Sequence, residues 1–126
     1  MNKAQNAITI AICATDNTKD SLVSPRYARS NYFAIYNTST SAYTFVENDA
    51  KKEASGASNK ATKILGTHHV DVLLAPKVGP KAFDILNAFN IKVYQYEGHE
   101  RIEEALNAYL EGRYHAITDA NAKGHQ

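Results

Sequence analysis

Val70-Asp71-Val72-Leu73-Leu74-Ala75 is the stretch that most restricts the fold. Apart from Asp71 near its start it has no polar residue, so it has no face to offer to water. A short, branched, apolar run of this kind is the pattern of a strand buried on both sides, as in parallel sheets covered by helices. Near the start of the chain, Ile8, Ile10 and Ile12 alternate with Thr9, Ala11 and Cys13, which gives a second strand apolar or small on both faces and suited to a central position. Two such strands need helical cover above and below the sheet.

The cover is legible in the same way. Ala54, Ala57, Ala61, Ile64 and Leu65 recur at helical spacing between about Asp49 or Ser55 and Leu65, and Gly66 is placed to end that helix. Gly79-Pro80 opens a second helix, because proline at the first helical position sacrifices no hydrogen bond; Ala82, Ile85, Leu86 and Phe89 form its inward stripe and Asn90 closes it. Ile102, Ala105, Leu106, Tyr109 and Leu110 mark a third, ending at Gly112. Tyr32 to Tyr36 and Ala42 to Val46 flank the polar turn Asn37-Thr38-Ser39-Thr40-Ser41 and read as a hairpin, and Ile91 to Tyr96 reads as one more strand. The order strand, hairpin, helix, strand, helix, strand, helix predicts an α/β domain of three layers around a mixed five-stranded sheet. It spans residues 1–118 as a single domain, with 119–126 as a polar tail.

Charge narrows the partners. With 14 Lys and Arg against 13 Asp and Glu the net charge is +1, too small a field to gather nucleic acid or an anionic membrane. No apolar stretch approaches the ~20 residues needed to cross a bilayer, and the first residues lack the order of a signal peptide. The lone cysteine, Cys13, lies in an apolar run and fits a reduced, cytoplasmic setting. Most of the eight tyrosines fall at strand or helix-face positions, where packing accounts for them better than base stacking. The Gly-Pro-Lys run lacks the spacing of a phosphate loop.

Several segments, taken in order, carry a family likeness: Ile8 to Cys13 with Asp16, Ser24-Pro25-Arg26-Tyr27-Ala28-Arg29, Tyr32-Phe33-Ala34-Ile35, Ser55-Gly56, Val70 to Ala75, Gly79-Pro80-Lys81-Ala82-Phe83, Ile91-Lys92-Val93-Tyr94 and Ile102-Glu103-Glu104-Ala105-Leu106. Together they resemble the dinitrogenase iron-molybdenum cofactor biosynthesis family. The resemblance implies a ribonuclease H-like sheet in a non-catalytic binding or carrier protein. The cargo it implies is an iron-molybdenum-sulfur cofactor, its precursor or a related molybdenum-containing cluster, with cofactor-biosynthesis or acceptor proteins as partners. The alternative is a protein-interaction module of the same fold that has lost cluster binding.

Two departures from the family pattern shape the chemistry. Where members commonly carry His-Phe-Gly-Arg, this chain has Arg26-Tyr27-Ala28-Arg29, and where a His-Gly pair starts the first helix it has Ser55-Gly56. Arginine has no lone pair for a metal and a serine hydroxyl is a poor ligand at neutral pH. An anionic cluster can instead be held by charge-assisted hydrogen bonds from Arg26 and Arg29 and by backbone N–H groups at a helix start. Ligands of open α/β sheets gather beyond the carboxyl ends of parallel strands, which brings Asp16, Lys77, Gly79 and His99 toward the same rim. The expected cofactor-binding set is therefore Cys13, Asp16, Arg26, Tyr27, Arg29, Ser55, Gly56, Lys77 and Gly79, with the Cys13 thiolate as the one candidate metal ligand. His68 and His69 are adjacent and cannot both turn to one ion on an extended segment. Asp16, Glu47 and Asp71 are the acids that a two-metal phosphoryl-transfer centre would have to use, and they fit it poorly.

Overall fold

The computed structural model describes residues 7–75, 78–95 and 101–114. Five strands, β1 (Thr9–Ala14), β2 (Tyr32–Asn37), β3 (Ala42–Glu47), β4 (Val72–Ala75) and β5 (Lys92–Gln95), form one sheet in the order β3-β2-β1-β4-β5. Only β2 runs against its neighbours: it is antiparallel to β1 and β3, while β1, β4 and β5 are parallel. This is the mixed five-stranded arrangement that the order of elements predicts. Among the described residues three helices cover it, α1 (Ala57–Thr67), α2 (Pro80–Ala88) and α3 (Ile102–Leu110), with a short 3-10 turn at Asp49–Lys52 before α1.

The period of two along the strands divides the core into two layers. Ala11, Cys13, Phe33, Ile35, Leu73 and Val93 face α1 and α2, where they meet Ala61, Leu65, Phe83 and Leu86. Ile10, Ile12, Ala34, Val72 and Leu74 face the opposite way, against Ile102, Ala105 and Leu106 of α3. Each of the central strands thus buries both of its faces, which explains why neither shows a polar alternation. The tyrosines Tyr32, Tyr36, Tyr94 and Tyr109 pack around the α3 layer, and the rings of Tyr94 and Tyr109 meet edge to face at 4.9 Å. No helix among the described residues is long and apolar enough to cross a membrane.

Gly66 does not end α1, as its type suggests; the helix runs through it to Thr67, and the chain reverses at His69, whose φ is 58°. The glycine is there for a different reason. A Cβ on it would lie 2.9 Å from Cδ2 of Phe89, so the absence of a side chain lets α2 close against α1. Pro80 opens α2 and Asn90 closes it with φ 62°, both as the sequence predicts.

Candidate anion-binding site

The carboxyl ends of β1, β4 and β5 share one edge, and the long connection from β1 to β2 folds back over it. Ala14 uses one side to pair with Tyr32 and the other to bridge Val23, so the loop occupies the strip of β1 that β4 leaves open. The amide of Ser24 donates to the Cys13 carbonyl at 2.8 Å, and the amide of Ile102 donates to the Ser21 carbonyl at 2.9 Å, which fixes the start of α3 against the same loop. Beyond Ser24 the chain turns outward at Pro25 and Arg26 and returns inward at Tyr27.

Three fastenings hold that return. The Tyr27 ring is buried and lies 5.8 Å from the ring of Phe33, and its hydroxyl is 2.9 Å from Thr62 Oγ1. Thr62 Oγ1 spends its proton on the Ser58 carbonyl at 2.8 Å, so Tyr27 must be the donor to Thr62. Asn48, fully buried, donates its two amide protons to the carbonyls of Ala28 and Ser30 at 3.0 and 2.9 Å while its oxygen caps the 3-10 turn through the amide of Ala50. Arg29 Nη1 donates to the carbonyls of Lys51 and Glu53 at 2.7 and 2.8 Å.

A cavity of about 220 Å³ opens where this loop meets the first turns of α1 and α2. It is lined by Pro25 to Ala28, by Ser58 of α1, and by Val78, Gly79 and Ala82 at the start of α2. Neither helix start has a side-chain cap and neither has an acidic residue in its first turn. The N-cap of α1 is Gly56, in the left-handed region at φ 76°, and that of α2 is Gly79, in an extended conformation. Each helix start carries roughly half a positive charge, so with Arg26 the cavity faces about two unit charges of attraction for an anion. Larger space, about 630 Å³, lies at the opposite edge beside Lys63, Gly66, His69, Asp71, Phe89 and Asn90. There the helices present their carboxyl ends, whose carbonyls repel anions.

The expected site residues divide accordingly. Arg26 and Gly79 line the cavity, Tyr27 forms its wall with its hydroxyl turned into the core, and Gly56 starts the helix beneath it. Ser55 is exposed and caps nothing. Asp16 is exposed at the turn after β1, where its carboxylate accepts the Asn17 amide at 2.8 Å, and it is not part of the cavity lining. Lys77 and His99 lie outside the described residues.

Two readings change. Arg29 is not an anion contact through Nη1, because that nitrogen is already committed to two carbonyls. Cys13 does not face the rim: its side chain is completely buried between the sheet and α1 and α2, and burial pushes the thiol up to about 12, with a contact to Ser30 only partly opposing the shift. A thiol that stays protonated inside a core is not poised as a metal ligand. Among the described residues no three His, Cys, Asp or Glu side chains come together to hold a metal ion. The acids proposed for a two-metal centre are apart as well, since Asp71 pairs with the first residue of β1 while Asp16 follows its last. Asn48, Ser58, Thr62 and Val78 escaped sequence reasoning. Asn48 before Asp49 does carry a helix-start signature, but the contacts of the others exist only after folding.

The fold and the site define an α/β protein with a cationic cavity at the carboxyl edge of its sheet. Residues 8–112 match the model of the dinitrogenase iron-molybdenum cofactor family, and the chain belongs to that family. Among solved structures, the apo form of the orange protein from Desulfovibrio gigas is 32% identical, with a TM-score of 0.86 over 90% of this chain and 95% of that one. A Thermotoga protein provisionally assigned as NifB is 36% identical, with a TM-score of 0.81 over 93% of this chain and 99% of the other. An uncharacterized protein of Methanocaldococcus jannaschii is 24% identical over 94 residues, which cover 72% of this chain and 79% of its own.

Proposed function

We infer that the chain is a non-catalytic carrier that holds an anionic metal-sulfur cofactor, or a molybdenum-containing precursor of one, as cargo and releases it to an acceptor or cofactor-biosynthesis protein. The observation that carries this reading is the convergence of Arg26 with the uncapped starts of α1 and α2 on one cavity. The donor set fits a sulfide- or oxide-coated anion and not a bare metal ion, because guanidinium and amide N–H groups donate hydrogen bonds and offer no lone pair. Outer-sphere holding also suits a carrier: an anion bound without a covalent ligand leaves without a ligand-exchange step. Membership of the family and the likeness to the orange protein point the same way.

Anaerobic titration with thiomolybdate together with copper or iron tests it, read by gel filtration, visible spectra and metal analysis. A coloured species should co-elute stoichiometrically with the native chain. Arg26→Ala should bind about tenfold more weakly, the loss of one charge-assisted contact at a partly solvated site. If neither protein retains molybdenum, the fold serves contacts with other proteins.

A further inference from the structure

Arg29 looked from the sequence like a second anion contact, and the structure gives it a different task. We propose that Arg29 is a positioning residue that sets the separation between Arg26 and the start of α1, so that the anion cavity exists before its cargo arrives; this rests on the carrier reading above. One nitrogen of Arg29 gathers the carbonyls of Lys51, inside the 3-10 turn, and Glu53, its C-cap. Only Ala54 and Ser55 separate Glu53 from Gly56, the N-cap of α1, so whatever holds Glu53 also holds the first turn of that helix. On the loop side, Arg29 is three residues from Arg26. A single side chain therefore ties the loop that carries the cationic group to the segment that delivers the helix start.

A second tie crosses the same gap from the inside. The proton order fixed by Thr62 makes a directional chain, Tyr27 hydroxyl to Thr62 hydroxyl to Ser58 carbonyl, from the loop wall to a residue that lines the cavity. The Tyr27 end of the chain is buried, so water does not compete for it there. Arg29 fastens the outer end of the gap and Tyr27 the inner end. Lys60 adds a bridge to Glu53 at 3.2 Å on the surface, but both partners are well exposed and it contributes little. Lysine keeps the charge and has donors enough on one nitrogen for both carbonyls, but its stem is flexible and its ammonium strongly hydrated, so it restores the tie only in part.

The test compares native chain, Arg26→Ala, Arg29→Ala, Arg29→Lys and Thr62→Val for binding of tetrathiomolybdate, far below each melting temperature so that only folded protein is measured. Arg29→Ala should weaken binding about tenfold, the usual effect of losing a group that orients a binding contact, and Arg29→Lys by less. The dependence of binding on salt should stay native-like in both, since the charge of Arg29 is not presented to the anion, whereas Arg26→Ala should flatten it. Hydrogen exchange of the amides at residues 53–58 should speed up in the Arg29 variants without any anion, and not in Arg26→Ala. Thr62→Val, which keeps the side-chain volume, should weaken binding in the same direction and guards against an Arg29 variant that fails to fold. A salt dependence that flattens in Arg29→Ala as it does in Arg26→Ala would mean that the charge acts directly on the anion and would overturn the proposal. Native affinity in both Arg29 variants would reduce the residue to a stabilising contact and overturn it as well. No binding by the native chain is a separate result: the carrier reading falls, and the positioning role falls with it.

Discussion

A thiol sealed in a core has an alkaline signature that a metal-ligating thiol lacks, and Cys13 makes it measurable. Burial raises its pKa from an ordinary 9.0 to about 12 in the folded chain. A group raised in this way stabilises the fold fully below 9.0 and loses that contribution as pH climbs toward the folded value. At pH 10 the unfolded thiol is about ten-elevenths ionised and the folded one hardly at all, so ionisation favours the unfolded chain by about 1.4 kcal/mol relative to pH 8. Tyr27, Tyr43 and Tyr109, whose hydroxyls burial also pushes up, steepen the alkaline loss. Tyr43 and Tyr109 do so equally in a Cys13→Ala variant and cancel in the difference; Tyr27 loses there only its smallest cause, repulsion from an ionised Cys13, and its main cause, burial, remains. Urea unfolding of both proteins under a phosphine reductant at pH 8 and pH 10 gives the quantity directly. The native chain should lose about 1.4 kcal/mol more than Cys13→Ala across that interval. Parallel losses, within the scatter of the extrapolation, would show that Cys13 ionises as freely folded as unfolded, and would return it to the set of possible ligands.

Two glycines give further tests. Gly66→Ala should destabilise the chain by about 1 kcal/mol, because contact with Phe89 at 2.9 Å outweighs the gain in helix propensity. In a Phe89→Ala background the same change should stabilise by about 0.5–1 kcal/mol, and thermal melts of the four proteins of that cycle read the change of sign. Gly56 has φ 76° and open space where a Cβ would point, so its cost is conformational alone. Gly56→Ala should lower stability by about 1–2 kcal/mol and Gly56→Asn by less, also by thermal melt, because asparagine enters the left-handed region more readily.

The sheet and its layers were readable because burial on both faces leaves a mark on composition: the central strands lack polar alternation, and Pro80 and Asn90 punctuate α2 as local rules require. Gly66 was misread since a glycine near a helix end looks like a terminator, and only the approach of Phe89 shows what the missing side chain makes room for. Part of the lining of the candidate cavity was legible. Chain order places the loop after β1 and the start of α2 at one edge, which brought forward Arg26 and Gly79. It does not say which arginine faces the cavity and which reaches back to Lys51 and Glu53, because that depends on a return of the chain at Tyr27 set by Thr62, thirty-five residues away. Cys13 followed the same rule: alternation along β1 gave its face, but which face meets α1 and α2 is a matter of topology.

Anomalous diffraction at the molybdenum edge, from crystals of the native chain loaded anaerobically with tetrathiomolybdate, tests the central claim most directly. The account predicts one molybdenum peak in the cavity between Arg26, the first turn of α1 and the start of α2, with no bond to Cys13. A peak bonded to the Cys13 sulfur, or one at the opposite edge beside Lys63 and His69, would contradict it.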